Sequence, residues 1–329
     1  KAKEAGWDPK DSSRRPRGPA WEDPDVADEA LVDGATARQA VQLMGELQDK
    51  PFFLAVGFLR PHLPFVAPKR YWDLYDRSAF EPAAVRTPPA GSPSYAPQFG
   101  GELRQYAAIP EKGPLDDQLQ RTLIHGYHAA TSYMDAQLGR VLAELDRLDL
   151  ARNTIIVLWG DHGWHLGDHG IWCKHTNYEQ AAHIPLLVAA PGLAAGARTE
   201  SIVETADIYP TLCELAGVSV PDDLDGRSFA ATLHDATAPA RDHAIHVYPR
   251  SAPGKGPVLG RAIRTERYRL VEWKKIGAPA EDADVELYDY ESDPLETKNL
   301  AGDQPDVVAQ LRALLAGHPE AILQIRKSP

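Results

Sequence analysis

The spacing of apolar residues predicts most of the helices of this chain. One set recurs at steps of three and four residues, which predicts the apolar face of a long helix: Leu123, Tyr127, Ala130, Met134, Leu138, Val141, Leu145 and Leu148. The same spacing predicts shorter helices over about 35–47, 207–215 and 307–315. Gly217, just past the second of these, is typical of a helix C-terminal cap.

Short runs with apolar residues on both faces predict strands buried inside a sheet. They are P-F-F-L-A-V-G-F at 51–58, N-T-I-I-V-L-W-G at 153–160 and I-P-L-L-V-A-A at 184–190. We expect the first to be a central strand. Because helices and strands alternate along the chain, the pattern predicts a largely parallel sheet with helical crossovers.

The pattern changes after about residue 236, where aromatic and polar residues partly alternate between Gly or Asp-Pro turns. This predicts an antiparallel meander with one solvated face. Residues 1–33 are rich in Pro, Asp, Lys and Arg and predict an irregular surface segment. Residues 81–115 carry repeated Pro, Gly and Ser and predict a long loop or insertion.

Composition limits the possible partners. The net charge is −12, from 35 Lys+Arg against 47 Asp+Glu, and phosphate binding needs clustered positive charge, so we expect no nucleic-acid partner. No run approaches the roughly 20 apolar residues of a membrane span. The only cysteines, Cys173 and Cys213, are too few for a disulfide framework or a four-thiolate zinc site. The sequence starts at Lys1 without a signal-peptide core, so we expect the true N-terminus to lie upstream.

The densest group of ligand and acid–base side chains follows the strand predicted at 153–160. It comprises Asp161, His162, His165, Asp168, His169, Lys174 and His175. Ligands bind outside the carboxyl ends of strands in open α/β sheets, so we expect a metal or anion site here. The alternative is a polar surface loop whose aspartates cap turns.

A second candidate lies in G-F-L-R-P-H-L-P-F at 57–65, where Pro61 and Pro64 bracket His62. Two prolines stiffen the loop and would hold the imidazole at one angle. His62 could then protonate a leaving oxygen or hydrogen-bond an anion. The alternative is a core histidine that is satisfied by a backbone carbonyl.

Several segments together resemble the type I sulfatases of the alkaline-phosphatase-like superfamily, most closely the iduronate 2-sulfatase branch. They are F-F-L-A-V-G-F-L-R-P-H-L-P-F, G-Y-H-A-A-T-S-Y-M-D, G-D-H-G-W-H-L-G-D-H-G-I-W-C-K, L-D-G-R-S-F and E-L-Y-D-Y-E-S-D-P-L-E-T-K-N-L-A, in order from about residue 50 to 302. The resemblance implies an α/β fold, with an alkaline-phosphatase-like sheet sandwiched by helices and a smaller C-terminal α+β subdomain with an antiparallel sheet. Residues 1–235 would then be part of the catalytic domain, and 236–329 the subdomain.

The resemblance also implies a reaction: hydrolysis of a sulfate ester, on a sulfated sugar or a glycosaminoglycan-like polysaccharide, by a formylglycine nucleophile. By position, Asp161 and His162 match metal ligands, and Lys174 matches the sulfate-binding lysine. His62 matches the histidine that contacts the sulfate and protonates the leaving alcohol, and Trp164 is expected among the substrate-binding residues. One Ca²⁺ is implied, although another divalent metal stays open because calcium prefers oxygen ligands and imidazole suits zinc or manganese. The implied compartment is periplasmic or extracellular, or lysosomal in a eukaryote.

Two family features are not found in these 329 residues: a C/S-x-P-x-R nucleophile motif and a tandem aspartate after an N-terminal strand. We therefore expect a fragment or a processed product whose partner is an N-terminal segment of the same polypeptide, with a degenerate relative as the alternative. Two other functions stay open. One is a phosphodiesterase or phosphonate monoester hydrolase of the same superfamily, and the other is a pseudoenzyme that binds sulfated carbohydrate.

Overall fold

A computed structural model of the chain describes residues 17–98 and 101–322. The predicted irregular segment at 1–33 therefore lies partly outside the described residues. The chain divides into two compact units: the first takes in residues 17–84 and 101–154, and the second takes in residues 85–98 and 155–322.

The first unit is built on two long helices and one four-residue helix. Its elements are β1 (Arg17–Pro19), β2 (Trp21–Glu22), α1 (Val32–Leu47), β3 (Phe65–Val66), α2 (Lys69–Trp72), β4 (Tyr106–Ala107) and α3 (Asp117–Arg147). The strands are short parallel pairs, β1 with β4 and β2 with β3. The long predicted helix is confirmed as α3, whose Asp116 side chain accepts from Leu119 N at 2.7 Å and caps the N-terminus. Its buried face includes Leu123, Ala130 and Leu145.

The prediction of a buried central strand at 51–58 is wrong for the described part of the chain. No strand forms there, and alternate side chains are exposed, Phe53 by 83%. The apolar run indicates that these side chains favour burial, but it does not identify a neighbouring strand. A strand in a sheet requires such a neighbour to accept and donate its backbone hydrogen bonds.

The second unit begins with short elements around a two-stranded sheet. They are β5 (Ile156–Trp159), β6 (His165–Leu166), β7 (Trp172–Cys173), α4 (Glu179–Ala182), β8 (Leu186–Ala189), α5 (Ile208–Leu215) and α6 (Ala230–His234). Strands β5 and β8 are antiparallel, so the predicted parallel arrangement is wrong for this pair. The reason is the connection at 160–185, which holds the β6–β7 hairpin and the four-residue α4 instead of a long crossover helix.

Helix α5 ends as the sequence predicts. Gly217 has φ +64°, its N–H bonds to Glu214 O at 3.1 Å, and Val218 N bonds to Cys213 O at 2.9 Å. These two hydrogen bonds define a Schellman C-cap, which uses glycine because the left-handed conformation is strained for other residues.

The C-terminal meander is confirmed as a four-stranded antiparallel sheet in the order β12-β11-β10-β9. Its strands are β9 (His243–Ala252), β10 (Gly256–Thr265), β11 (Tyr268–Lys274) and β12 (Asp284–Asp289), followed by α7 (Pro305–Ala316). Leu311 and Leu315 of α7 pack on one face of the sheet.

The expectation of one solvated sheet face is wrong. Ala96 and Tyr95 join Val258, Val271 and Trp273 on the face opposite α7. The segment 85–98, which lies within the predicted long loop or insertion at 81–115, therefore covers the second face. Among the described residues, no helix combines the length and the apolar character needed to cross a membrane.

Candidate functional site

The turn after β5 presents Asp161 and His162. The Asp161 side chain is 85% exposed, and its Oδ2 lies 3.6 Å from His162 Nε2. His162 Nδ1 lies 2.8 Å from the carbonyl oxygen of Gly163. A carbonyl only accepts, so Nδ1 is the donor in this contact, and in a neutral imidazole the lone pair is then on Nε2, on the side of the carboxylate.

Close packing fixes the backbone of this turn. Gly163 N donates to Ala181 O at 2.8 Å, and a Cβ at Gly163 would lie 2.1 Å from Gln180 O. Only glycine fits this approach to α4. The turn that carries Asp161 and His162 is therefore held against α4.

Asp161 and His162 are compatible with a divalent cation as two of its ligands. Their facing acceptor atoms, 3.6 Å apart, fit neighbouring ligands that each lie about 2.0–2.6 Å from one ion. Within residues 17–98 and 101–322, no three His, Cys, Asp or Glu side chains converge into a metal-binding group. These two side chains alone would supply only part of a coordination shell.

Trp164 lies between His162 and Lys174. The rings of His162 and Trp164 stack with centroids 6.0 Å apart and an interplanar angle of 30°. Lys174 Nζ lies 5.1 Å from the Trp164 ring centroid, within cation–π range. The structure thus brings together Asp161, His162, Trp164 and Lys174, all of which were predicted site residues. We call these four residues the acid–histidine–lysine row.

The other residues of the dense group have structural partners. His165 is fully buried, between Asp168 on Nδ1 and Thr176 Oγ1, 2.7 Å from Nε2. His169 is also buried, and its ring centroid lies 5.2 Å from that of Tyr178. Burial lowers the pKa of His169, which keeps this imidazole neutral. These two histidines belong to the interior and not to an open ligand site.

His62 lies in the first unit, on the loop between α1 and β3. Its Nδ1 is 2.7 Å from Leu63 O, so this nitrogen carries the proton, and Nε2 is 3.6 Å from Glu102 Oε1. The side chain is 37% exposed. The peptide bonds before Pro61 and Pro64 are both cis. His62 is bonded to a carbonyl, as the alternative interpretation expects, but its side chain is partly exposed and not part of the core.

Asp33, which no sequence motif marks as a site residue, holds the His62 loop in place. Its Oδ1 accepts from Leu59 N and its Oδ2 from Arg60 N, both at 2.9 Å, and the side chain is 2% exposed. Arg60 Nη1 then donates to His62 O at 2.7 Å. The carboxylate in the first turn of α1 therefore fixes the backbone immediately before His62. The only sequence signal was an aspartate at a helix start, which is commonly a cap.

Helix α4 is itself held by ion pairs to the C-terminal sheet. Arg269, 1% exposed, pairs with Glu179 and Glu296, and Arg264 also pairs with Glu179. Burial alone would raise the pKa of Glu179, but Arg269 and Arg264 lower it to about 2. This carboxylate at the start of α4 thus stays charged, and it links the sheet to the helix on which the Asp161 turn rests.

A second buried carboxylate lies deeper in the sheet. Glu286 is fully buried and accepts from Trp273 Nε1 and Tyr288 Oη, both at 2.7 Å. Burial raises the pKa of Glu286 to about 7, in spite of these hydrogen bonds. Glu286 is therefore a titrating group inside the unit that carries the acid–histidine–lysine row.

Comparison with protein families gives two matches. The family described as Sulfatase matches residues 4–218, and the family described as N-sulphoglucosamine sulphohydrolase, C-terminal, matches residues 167–320. Iduronate 2-sulfatase from Homo sapiens is 31% identical over 351 residues, which cover 85% of this chain and 64% of that protein. This chain therefore spans less than two thirds of that relative.

Two solved structures extend the comparison. A phosphonate monoester hydrolase from Silicibacter pomeroyi has a TM-score of 0.74 and 27% identity, over 89% of this chain and 60% of that chain. A protein solved in complex with its substrate D-glucosamine-2-N,6-O-disulfate has a TM-score of 0.73 and 21% identity, over 87% and 68% of the two chains. Together with the C-terminal family match, these structures confirm the predicted α/β fold class with an antiparallel C-terminal sheet.

Proposed function

Because the chain belongs to the sulfatase family, we propose that its polypeptide hydrolyses a sulfate ester on a sulfated sugar or glycosaminoglycan-like polysaccharide. The observation that carries this proposal is the acid–histidine–lysine row. It combines an exposed carboxylate, an imidazole nitrogen with its lone pair and an ammonium group. This set suits an anionic group that is held jointly by a cation and a lysine.

Lys174 would bind the sulfate and stabilise the charge that grows on it during transfer. A preorganised donor of this kind typically contributes about 10²–10³-fold in rate. The Trp164 ring beside Nζ restricts where the ammonium can lie, and its indole is a candidate surface for the substrate. Asp161 and His162 would hold the metal, for which the family resemblance favours Ca²⁺. The ion, when bound, supplies Lewis-acid stabilisation of the transferring group.

His62 would protonate the leaving sugar oxygen. Its Nδ1 proton is committed to Leu63 O, so Nε2 is the nitrogen that can carry a transferable proton. A sugar alkoxide is a poor leaving group, and its departure needs such a proton. Asp33 and Arg60 would keep the loop in place while the proton moves.

The nucleophile would lie in a segment N-terminal to Lys1 of the same polypeptide. A formylglycine in that segment, which the family resemblance implies, would supply the attacking oxygen. Two observations support this placement: the 329 residues contain no C/S-x-P-x-R motif, and the chain spans 64% of its human relative. The domain boundary at 235/236 remains a prediction, as does a periplasmic, extracellular or lysosomal location.

A second candidate function is phosphonate monoester or phosphodiester hydrolysis. It is favoured by the 27% identical phosphonate monoester hydrolase structure. A metal held by Asp161 and His162 with a nearby lysine would serve a phosphoryl group by the same electrostatics. A pseudoenzyme that binds sulfated carbohydrate would also keep the acid–histidine–lysine row, and it would lack the nucleophile.

Two measurements test the proposal. Reading the gene upstream of the Lys1 codon should show a C/S-x-P-x-R motif and a tandem aspartate; a start codon a few residues before Lys1 would contradict it. The expressed polypeptide should then release sulfate from a 2-O-sulfated uronate disaccharide with a higher kcat/KM than it shows on a phosphonate monoester. The reverse order would favour the second candidate, and binding without turnover would indicate the pseudoenzyme.

A further inference from the structure

We propose that Asp168, His165 and Thr176 form a buried positioning relay that holds Lys174 at the sulfate site. The inference rests on the proposed function, because it concerns how one of the residues of that function is oriented. It accounts for two residues of the dense Asp/His group that the acid–histidine–lysine row does not use. None of the three relay residues is proposed to touch the substrate.

The backbone before Lys174 needs to be held. Strand β7 ends at Cys173, which is 1% exposed and has φ +76°, in the left-handed region. A non-glycine residue there costs about 1–3 kcal/mol, and the conformation persists only where its surroundings enforce it. Immediately afterwards Thr176 N donates to Lys174 O at 2.9 Å, which closes a tight turn that begins at Lys174 and has His175 at its centre. We call it the Lys174 turn.

His165 is placed to enforce this conformation. It lies directly opposite Cys173 in the β6–β7 ladder. Its Nε2 is 2.7 Å from Thr176 Oγ1. The His165 side chain therefore connects strand β6, which pairs with Cys173, to Thr176 at the end of the Lys174 turn. Tyr178 N donates to Thr176 Oγ1 at 3.3 Å, which leaves the hydroxyl proton for the imidazole.

Asp168 fixes the other side of the imidazole. Its Oδ2 accepts from His165 Nδ1, and its Oδ1 accepts from Leu166 N at 3.1 Å. The carboxylate therefore sets the tautomer of His165, so that Nε2 is the acceptor that Thr176 needs. The chain of hydrogen bonds runs from the hairpin loop through His165 to the turn that carries Lys174.

The order carboxylate, imidazole, hydroxyl is that of a nucleophilic triad, but its burial excludes that role. His165 and Thr176 are both 0% exposed, so no substrate reaches the hydroxyl. In this buried environment each hydrogen bond is strong, and a donor or acceptor that is left without a partner is costly. The arrangement is therefore suited to holding a neighbouring residue still.

Removing the hydroxyl should act on Lys174 through the backbone. With Thr176→Val, the Lys174 turn keeps only its single backbone hydrogen bond, and Cys173 is free to relax. A displacement of about 1 Å at a catalytic group can cost about 10²-fold in rate. We expect kcat/KM for a sulfate ester to fall about 10–10²-fold, and inorganic sulfate to bind correspondingly more weakly because Lys174 is its ligand.

The second unit offers a matched control. Thr211 is also buried, donates its hydroxyl to a carbonyl (Asp207 O, 2.7 Å) and accepts from one backbone N–H (Phe229 N, 2.9 Å). Thr211→Val thus removes the same kind of hydroxyl away from Lys174. Thr176→Ser retains the hydroxyl and should rescue function.

The experiment compares Thr176→Val, Thr176→Ser and Thr211→Val in the complete expressed polypeptide. For each we would measure kcat and KM on one sulfate ester, inorganic sulfate affinity by calorimetry, and the melting temperature. The expected result is that both valine variants melt earlier, while only Thr176→Val loses turnover and sulfate affinity, and Thr176→Ser stays within a few-fold of wild type.

Equal activities of the two folded valine variants would overturn the relay, as would a serine variant as impaired as the valine variant. If the wild-type polypeptide neither hydrolyses a sulfate ester nor binds inorganic sulfate, the proposed function is refuted, and the relay with it. A double change, His165→Phe with Thr176→Val, should cost less than the sum of the single changes, because the residues act as a unit. Additive losses would count against the relay.

Discussion

Replacing Asp33 with alanine should destabilise the first unit strongly, because the structure gives this carboxylate two backbone donors. Leu59 N and Arg60 N each lie 2.9 Å from a different oxygen of a side chain that is 2% exposed. Hydrogen bonds to a charged group contribute about 1.5–3 kcal/mol each, so losing both should cost about 3–6 kcal/mol. Asp33→Asn keeps one acceptor oxygen but turns its amide N–H₂, a donor, towards the other backbone N–H, so it should lose at least half of that.

The assay is urea unfolding, followed by the fluorescence of buried tryptophans such as Trp72, for wild type, Asp33→Ala and Asp33→Asn. Asp116→Ala is the matched control, because Asp116 is also in the first unit but accepts from a single N–H at an exposed helix N-terminus; it should lose about 1 kcal/mol. Equal losses for Asp33→Ala and Asp116→Ala would refute the reasoning. So would an Asp33→Asn variant as stable as wild type.

Two further predictions concern His62 and Glu286. His62→Ala should reduce kcat/KM far more on a sulfated sugar than on an aryl sulfate, whose phenolate leaves without a proton; equal losses would remove the general-acid role. Burial raises the pKa of Glu286 from 4.5 to about 7, so the folded state binds the extra proton and wild type loses stability as the pH rises from about 4.5 through 7. Glu286→Gln lacks this titration. As the pH rises from 4.5 to 8, the free energy of unfolding of Glu286→Gln should therefore increase by about 3 kcal/mol relative to that of wild type. A difference independent of pH would contradict this.

The sequence predicted helices and the meander well, and strand pairing poorly. The apolar face of α3 and the Gly217 cap are local properties, readable from residues a few positions apart. The segment at 51–58 and the direction of β8 depend on which partner lies alongside, and apolar spacing carries no information about that. The packing of residues 85–98 on the meander could not be predicted either, because it also depends on a partner that is distant in the sequence.

The candidate site was predicted as a group of residue types, and the structure divides that group by burial. Asp161 is exposed and His162 and Lys174 are half-buried, whereas His165 and His169 are interior. The spacing of apolar residues could not separate buried from exposed side chains here, because the segment consists of turns and two-residue strands. Asp33 was missed because its partners lie 26 and 27 residues away along the chain, a contact that only the fold creates.

The most direct test of the central claim is the effect of Lys174→Ala on sulfate release by the complete polypeptide. If Lys174 holds the transferring sulfate, kcat/KM should fall about 10²–10³-fold, with the melting temperature close to that of wild type. Lys298→Ala is the control, since Lys298 pairs with Asp303 on the surface of the same unit, and it should leave activity unchanged. A Lys174→Ala enzyme within a few-fold of wild type would show that this lysine does not hold the transferring sulfate, and would contradict the assignment of the acid–histidine–lysine row as a sulfate site.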